Sequence, residues 1–263
     1  MPRLRLDQLL VERGMASSRA AAQALILAGE VELARAGSRN LKPGQLVAAD
    51  VQLAVRGRPR WASRAGAKLE AALDAFGVDP GGLACLDAGA STGGFTDVLL
   101  VRGARVVYAV DVGRAQLIDR LRRDPRVVSM ERTNLRAVDE LPEVVELATL
   151  DLSFISLRLV LPAVRRLLSA GGRVVALVKP QFEAGREAVP RGGVVADPAV
   201  HAAVLRQFGA DAAAAGFGSS GLLRSPLTGA DGNQEFLALL EAPPGLLAAD
   251  WEAHIRAVAD ASA

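Results

Sequence analysis

Lysine is scarce in this chain, and the scarcity points at chemistry. Of 31 basic residues, only Lys42, Lys68 and Lys179 are lysines; the rest are arginines. Arginine is in effect always charged, whereas a lysine amine can be desolvated into other service, so a lysine kept in an arginine-rich chain raises the question of what its position needs. Lys179 closes the apolar run Val174-Val175-Ala176-Leu177-Val178, which reads as a strand. A lysine in that place is expected to be partly desolvated. Asp151 likewise closes an apolar run, Glu235 opens another, and Lys68 lies beside Leu69 on a helical stripe that leads into the first strand. Each has an ordinary alternative: a cap for Asp151, a surface end for Lys179, an exposed edge for Glu235 and a snorkelling surface amine for Lys68. Brought to one cleft, two amines and two carboxylates are groups that hold and move a proton.

A second constellation begins at Leu86-Asp87-Ala88-Gly89-Ala90-Ser91-Thr92-Gly93-Gly94-Phe95-Thr96. Glycines after an acid-tipped strand let the backbone turn tightly and approach a ligand, and the helix that follows points its N-terminus there. The spacing is neither the dinucleotide G-x-G-x-x-G nor the phosphate loop that ends in Gly-Lys-Ser/Thr. The next apolar run, Val106–Val110, ends at Asp111, 22 residues after Gly89. An acid at that place can accept both hydroxyls of a ribose. Asp87, Gly89, Ser91, Gly93, Phe95 and Asp111 are thus candidates for an adenosine cofactor bound without a pyrophosphate cradle, a description that S-adenosylmethionine fits; a plain structural turn is the alternative.

The elements that must position these groups alternate. Strands are expected at 83–87, 105–110, 126–130, 146–151, 173–178, 217–225 and 235–241, and helices at 94–102, 114–122, 134–140, 157–168 and 197–214. Ser63 opens a further helix that runs to Phe76, and 246–263 reads as a last helix with Trp251, Ile255 and Val258 as its stripe. Alternating βα units predict an α/β fold, a parallel sheet with helices on both faces, whose ligands sit at the carboxyl ends of strands. Cys85 is expected as a buried strand residue and His201 on a surface helix.

Charge is segregated along the chain. Residues 1–68 carry a net +7 and the remainder −5. A basic module beside a mildly acidic body suits a polyanion-binding segment joined to a catalytic one, or simply a solvated basic face. Leu6, Leu9 and Leu10 recur at helical spacing up to Gly14. Ser17-Ser18 offers an N-cap to a second helix striped by Ala22, Leu25 and Ile26 and ended by Gly29. Val31 and Leu33, then Val47, Val51, Leu53 and Val55 around the Pro43-Gly44 turn, suggest a small hairpin sheet. Residues 57–63 read as a linker in which Trp61 either pins two modules together or fills a surface groove. The lone cysteine excludes an internal disulfide and a thiolate zinc site, and two histidines cannot build a histidine cluster, so no metal is expected. No apolar run approaches the ~18 residues that span a bilayer. A reduced, cytoplasmic protein without a membrane partner is expected.

The N-terminal residues Arg5-Leu6-Asp7, Leu10-Val11-Glu12-Arg13-Gly14, Ser18-Arg19, Ala22, Leu25-Ile26, Gly29, Val31 and Lys42-Pro43-Gly44 resemble the small RNA-binding domain first described in ribosomal protein S-four. The motifs Leu86–Asp97, Val110-Asp111-Val112-Gly113, Asp151–Ser156 and Val178–Glu183 resemble the FtsJ-type RNA ribose methyltransferases, and within them the TlyA family, which carries the same N-terminal domain. The resemblance implies a Rossmann-like S-adenosylmethionine-dependent methyltransferase domain over 64–263 and an RNA-binding domain over 1–56. It implies 2′-O-methylation of cytidine in ribosomal RNA, 16S, 23S or both, within ribosomal subunits, by a catalytic tetrad of Lys68, Asp151, Lys179 and Glu235. Arg3, Arg5, Arg19, Lys42, Arg60 and Arg64 are the RNA-binding candidates, since an arginine fork pairs with phosphate and stacks on exposed bases. The rival functions are a non-catalytic ribosome-assembly factor and a pore-forming haemolysin, a label the family has carried.

Overall fold

The computed structural model describes residues 3–16, 18–27, 30–33, 41–55, 60–114, 116–229, 231–243 and 248–259. It divides into two compact units between Arg60 and Trp61.

In the first unit, β1 (Arg3–Arg5) runs directly into α1 (Leu6–Glu12), followed by α2 (Arg19–Leu27), β2 (Val31–Leu33), β3 (Leu46–Ala48) and β4 (Leu53–Val55). Ser18 caps α2 by accepting from the Ala21 amide, 3.2 Å; Ser17, Gly29 and the 34–37 tip lie outside the described residues. The single hairpin sheet expected from sequence is instead two separate antiparallel ladders, β1 with β3 and β2 with β4. Arg3–Arg5 is extended and takes the edge of β3, so β4 pairs with β2. Leu6, Leu9, Leu10, Ala22, Ile26, Val31 and Val47 make the core. Asp7 is fully buried beside them. Its carboxylate accepts from Arg5 Nη2 (2.9 Å), Gln23 Nε2 (3.0 Å) and Arg19 Nε (3.2 Å). The Arg5 guanidinium holds this carboxyl well below the usual carboxylate range against the opposing effect of burial.

The second unit is built on a seven-stranded sheet. Its strands are β5 (Ala84–Ala88), β6 (Val106–Val110), β7 (Val127–Met130), β8 (Val145–Leu150), β9 (Leu168–Val178), β10 (Gly218–Arg224) and β11 (Phe236–Glu241), in the spatial order β10-β11-β9-β8-β5-β6-β7. β5 to β9 are parallel, and β11 enters antiparallel to β9 and to β10. Side chains alternate between two cores. Cys85, Val107, Leu147, Val175 and Leu177 face α3 (Ala65–Phe76) and α4 (Gly94–Val101). Leu86, Tyr108, Ala148, Val174 and Ala176 face α6 (Leu161–Leu167), α8 (Pro198–Ala214) and α9 (Ala248–Ala259). Two short helices complete the unit, α5 (Asp119–Arg122) and α7 (Pro180–Glu183).

Several elements depart from the sequence expectation for local reasons. The helix expected over 157–168 breaks into a 3₁₀ turn at Leu157–Leu159 and α6, because Pro162 cannot donate to the preceding turn. The segment 134–140 holds only a 3₁₀ turn, Leu135–Ala137, capped by the Asn134 side chain. His201 is not on the surface: it is buried, 2.8 Å from the Val195 carbonyl and edge-on to Phe236. Trp61 is buried in the core of the second unit, over Gly66, with its indole N–H 3.3 Å from Glu70. Trp251 donates to the Leu205 carbonyl at 3.0 Å and ties α9 to α8. Burial pushes the Cys85 thiol up to about 12, in keeping with an inert strand residue.

Asp87 sits fully buried on the central strand. Thr96 of α4 donates to its Oδ2 at 2.6 Å, and the Thr149 hydroxyl of β8 lies 3.3 Å from its Oδ1. Burial pushes this carboxyl from 3.8 up to about 7, with Asp151 adding to the rise and the Thr96 hydroxyl opposing it. The folded chain therefore keeps a proton that the unfolded chain releases, so stability falls as pH rises between those values and levels above them. Urea unfolding from pH 5 to pH 8 should show wild type losing about 1–3 kcal/mol relative to Asp87→Asn. Parallel profiles for the two proteins would rule out the buried carboxyl as the source.

Candidate active site

The carboxyl ends of β5, β6 and β8 open onto a cavity of about 350 Å³, lined among others by Gly89, Ser91, Asp111, Asn134, Asp151 and Phe154. Its floor is the turn that leaves β5. Gly89 has φ +84°, and a Cβ there would overlap the Asp151 carbonyl, so the β5 and β8 loops pass at backbone distance. The Gly89 amide donates to the Val110 carbonyl at 2.8 Å and holds the turn against β6. Ser91 takes φ +46°. Its amide donates to Asp111 Oδ2 at 2.8 Å, while the Gly113 amide donates to Oδ1 at 2.6 Å. Asp111 thus joins the two loops with two of its roughly four lone-pair positions, and the others remain for a ligand.

Beside the cavity, sheet register assembles the charged residues. Leu150 pairs with Ala176 across β8 and β9, and Phe236 pairs with Val178 across β11 and β9. Asp151, Lys179 and Glu235 therefore stand at one edge on three adjacent strands. The antiparallel entry of β11 is decisive, because it puts the start of that strand where the others end. Lys179 Nζ is 2.7 Å from Asp151 Oδ1 and donates to Ser153 Oγ at 2.9 Å. Lys68, from α3, forms an ion pair with Glu235. Both lysines are 8% exposed and Glu235 is 2% exposed. Burial of this kind is costly for a charge unless it is paired, and each amine has its carboxylate.

Not every candidate reaches the cavity. Asp87 lies inside the sheet, Phe95 is buried in the helix-facing core, and Gly93 backs onto Leu117 and Leu121. In the first unit, Arg3, Arg19 and Lys42 are exposed, as are Arg60 and, in the second unit, Arg64. Arg5 is half-buried, and both it and Arg19 are engaged with Asp7. Sequence reading missed Ser153, which stands two residues after Asp151, and the cavity residues Gln116, Thr133 and Asn134. Thr133 and Asn134 follow the end of β7, so the rule that ligands sit at carboxyl strand ends already singled out their neighbourhood. Among the described residues no helix is long and apolar enough to cross a membrane, and no group of three or more His, Cys, Asp or Glu could hold a metal ion.

With this geometry in hand, comparison with known proteins is informative. Residues 61–242 match the model of the FtsJ-like methyltransferases, and residues 4–34 match the S4 domain. YqxC of Bacillus subtilis, provisionally named an rRNA methyltransferase, is 51% identical over 91% of this chain and 86% of its own length. The 16S/23S rRNA (cytidine-2′-O)-methyltransferase TlyA of Mycobacterium tuberculosis is 47% identical over 90% of each chain. A solved structure from Streptococcus thermophilus, provisionally named a haemolysin, is 42% identical and superposes with a TM-score of 0.75 over 98% of this chain and 96% of its own. Matched over most of its length, the chain belongs to the FtsJ-like methyltransferase family and carries an S4 domain at its N-terminus.

Proposed function

We propose that this enzyme transfers the methyl group of S-adenosylmethionine to the 2′-oxygen of a cytidine in ribosomal RNA, 16S, 23S or both, with Lys68, Asp151, Lys179 and Glu235 as the catalytic groups. The observation that carries the reading is the pair of buried lysine–carboxylate contacts gathered on adjacent elements beside a cofactor-sized cavity. The relative TlyA of Mycobacterium tuberculosis is named for that reaction on 16S and 23S rRNA.

The cavity suits an adenosine ligand. Gly89 lets the β5 and β8 loops meet at backbone distance in the cavity wall, Asp111 has acceptor positions beyond its two amide contacts, and the volume suits a small cofactor. When bound, S-adenosylmethionine supplies a methyl group on a cationic sulfur. The protein's task is alignment and proton removal, since a ribose hydroxyl is a poor nucleophile until its proton has somewhere to go. In this reading the 2′-oxygen would bond to the methyl carbon as the carbon–sulfur bond breaks and leaves a neutral thioether, while Lys179, as a neutral amine, engages the 2′-hydroxyl and takes its proton. Asp151 and Ser153 fix the Lys179 amine in place. Glu235 does the same for Lys68, which holds the hydroxyl from the other side.

The distribution of arginines supports RNA as the partner of the second unit. Arg102, Arg105 and Arg126, at the amino edge of the sheet, are bound to Asp74, Glu143 and Asp124. Arg114, Arg132, Arg136, Arg158 and Arg191, on segments that follow the carboxyl ends of strands, are exposed and have no carboxylate partner among the described residues. Exposed guanidinium groups around a site mouth are suited to a phosphate backbone. We assign RNA binding by residues 1–56 to the S4 domain, through Arg3 and Lys42, with Arg19 contributing less, and Arg5 least, because Asp7 engages both.

Incubation with methyl-labelled S-adenosylmethionine and separate ribosomal subunits, followed by nucleotide mapping, should find label on a cytidine 2′-oxygen; binding of subunits without label transfer would leave an assembly factor as the reading. Lys179→Arg keeps a cation but loses the accessible amine, so kcat should fall by about 10²-fold or more while cofactor affinity is retained. Wild-type turnover in that variant would sink the central role of Lys179. Asp111→Ala should weaken S-adenosylmethionine binding by about tenfold or more in calorimetry, through loss of charge-assisted hydrogen bonds; an unchanged affinity would remove the ribose assignment.

A further inference from the structure

The turn that follows β9 is fastened to the loop that follows β8 at three successive points. Lys179 meets Asp151 at 2.7 Å and Ser153 at 2.9 Å. The Phe182 ring packs on Phe154 with centroids 5.1 Å apart. Glu183 then accepts from the Ser156 hydroxyl at 2.6 Å and from the Leu157 amide at 2.8 Å. The third fastening is a carboxylate that bridges two elements, and the reaction described above gives it no part.

The loop needs such an anchor. Phe154 takes φ +63° and is 91% exposed, a conformation that a residue with a side chain keeps only when its surroundings hold it. The Leu157 amide is the first donor of a 3₁₀ turn whose own ladder cannot satisfy it. Glu183 supplies the acceptor from outside the loop. Between Asp151 and Leu157 the chain is thereby held at both ends by one four-residue helix, Pro180–Glu183, and the lysine that precedes it.

We propose that Glu183 is a positioning residue, whose carboxylate sets the conformation of the 151–157 loop and, through it, the placement of Asp151 against Lys179. The proposal rests on the methyl-transfer reading of that pair. Burial pushes the Glu183 carboxyl above its usual range, opposed by the Leu157 amide and the Ser156 hydroxyl; of the charges around it, Asp211 of α8 adds to the rise and Arg158 opposes it. The side chain is half-buried, and the Ser156 and Leu157 hydrogen bonds replace part of the solvent it has lost.

The test uses the full chain and two readouts. Glu183→Ala should speed hydrogen exchange in the 151–157 segment by about tenfold, the equivalent of one charge-assisted hydrogen bond, with exchange in β5 and β6 unchanged. Its kcat for methyl transfer to ribosomal subunits should fall by about tenfold or more, and KM for S-adenosylmethionine should rise by a smaller factor, because the 151–157 loop is one wall of the cavity while Ser91 and Asp111 on the other wall keep their contacts. Glu183→Gln keeps an oxygen for the Leu157 amide and an N–H for the Ser156 hydroxyl, so it should restore kcat to within about threefold. Wild-type exchange in 151–157, or wild-type kcat, in Glu183→Ala would overturn the proposal. Should that variant not fold, Ser156→Ala removes one of the two contacts, and unchanged exchange in 151–157 would overturn it equally. If wild type transfers no methyl group, the methyl-transfer reading fails, while the exchange measurement still decides whether Glu183 holds the loop.

Discussion

Two lysine amines buried at the edge of an apolar sheet are the constraint around which the second unit is organised. Taking a lysine amine out of water costs several kcal/mol unless a counter-charge and further hydrogen bonds replace the lost solvent. Lys179 has Asp151 and Ser153, and Lys68 has Glu235. Well-packed apolar residues would serve stability at least as well in these places. The arrangement is intelligible as equipment for handling a proton.

The sheet makes those contacts possible through one reversal. If β11 ran parallel to its neighbours, Glu235 would lie at the opposite edge, remote from Lys179. By entering antiparallel, the strand brings its first residues to the edge where β8 and β9 finish, and Ser225 of the preceding segment joins the Glu235 backbone there. Asn233, 1% exposed, fixes the approach to that strand by accepting from the Val195 amide and donating to the Gly193 carbonyl. On the cavity side the same economy holds: Gly89 allows the β5 and β8 loops to touch, and Asp111 secures the loops that follow β5 and β6. Cavity and charged pairs therefore share the Asp151 loop as a common wall.

The first unit solves a related problem with the opposite balance. Asp7 is a buried carboxylate whose cations, Arg5 and Arg19, stay partly exposed at its rim. The pairing orders two arginines at a surface, which suits an RNA-binding module in which guanidinium planes must be presented and not merely present.

Period and punctuation in the sequence determined a great deal. Apolar runs marked all seven strands of the sheet to within a few residues, apart from the early start of β9; the inner strands are buried on both faces, while β7 at the edge is partly exposed. The strand-end rule then singled out Gly89, Asp111, Asp151 and Lys179 before any contact was known. Helices beyond the carboxyl edge were less legible: 157–168 is split by Pro162, and 134–140 is a single capped turn, because their neighbours and not their own periodicity decide the backbone there. Residue type alone could not tell that Asp87 and Phe95 are internal while Ser91 lines the cavity, since all three stand on one short motif. Nor could it show that His201 is buried or that Glu183 reaches across to Leu157. Those facts depend on which strand neighbours which and on the direction of β11. Strand order is a long-range choice made by packing two cores at once, and no local spacing records it.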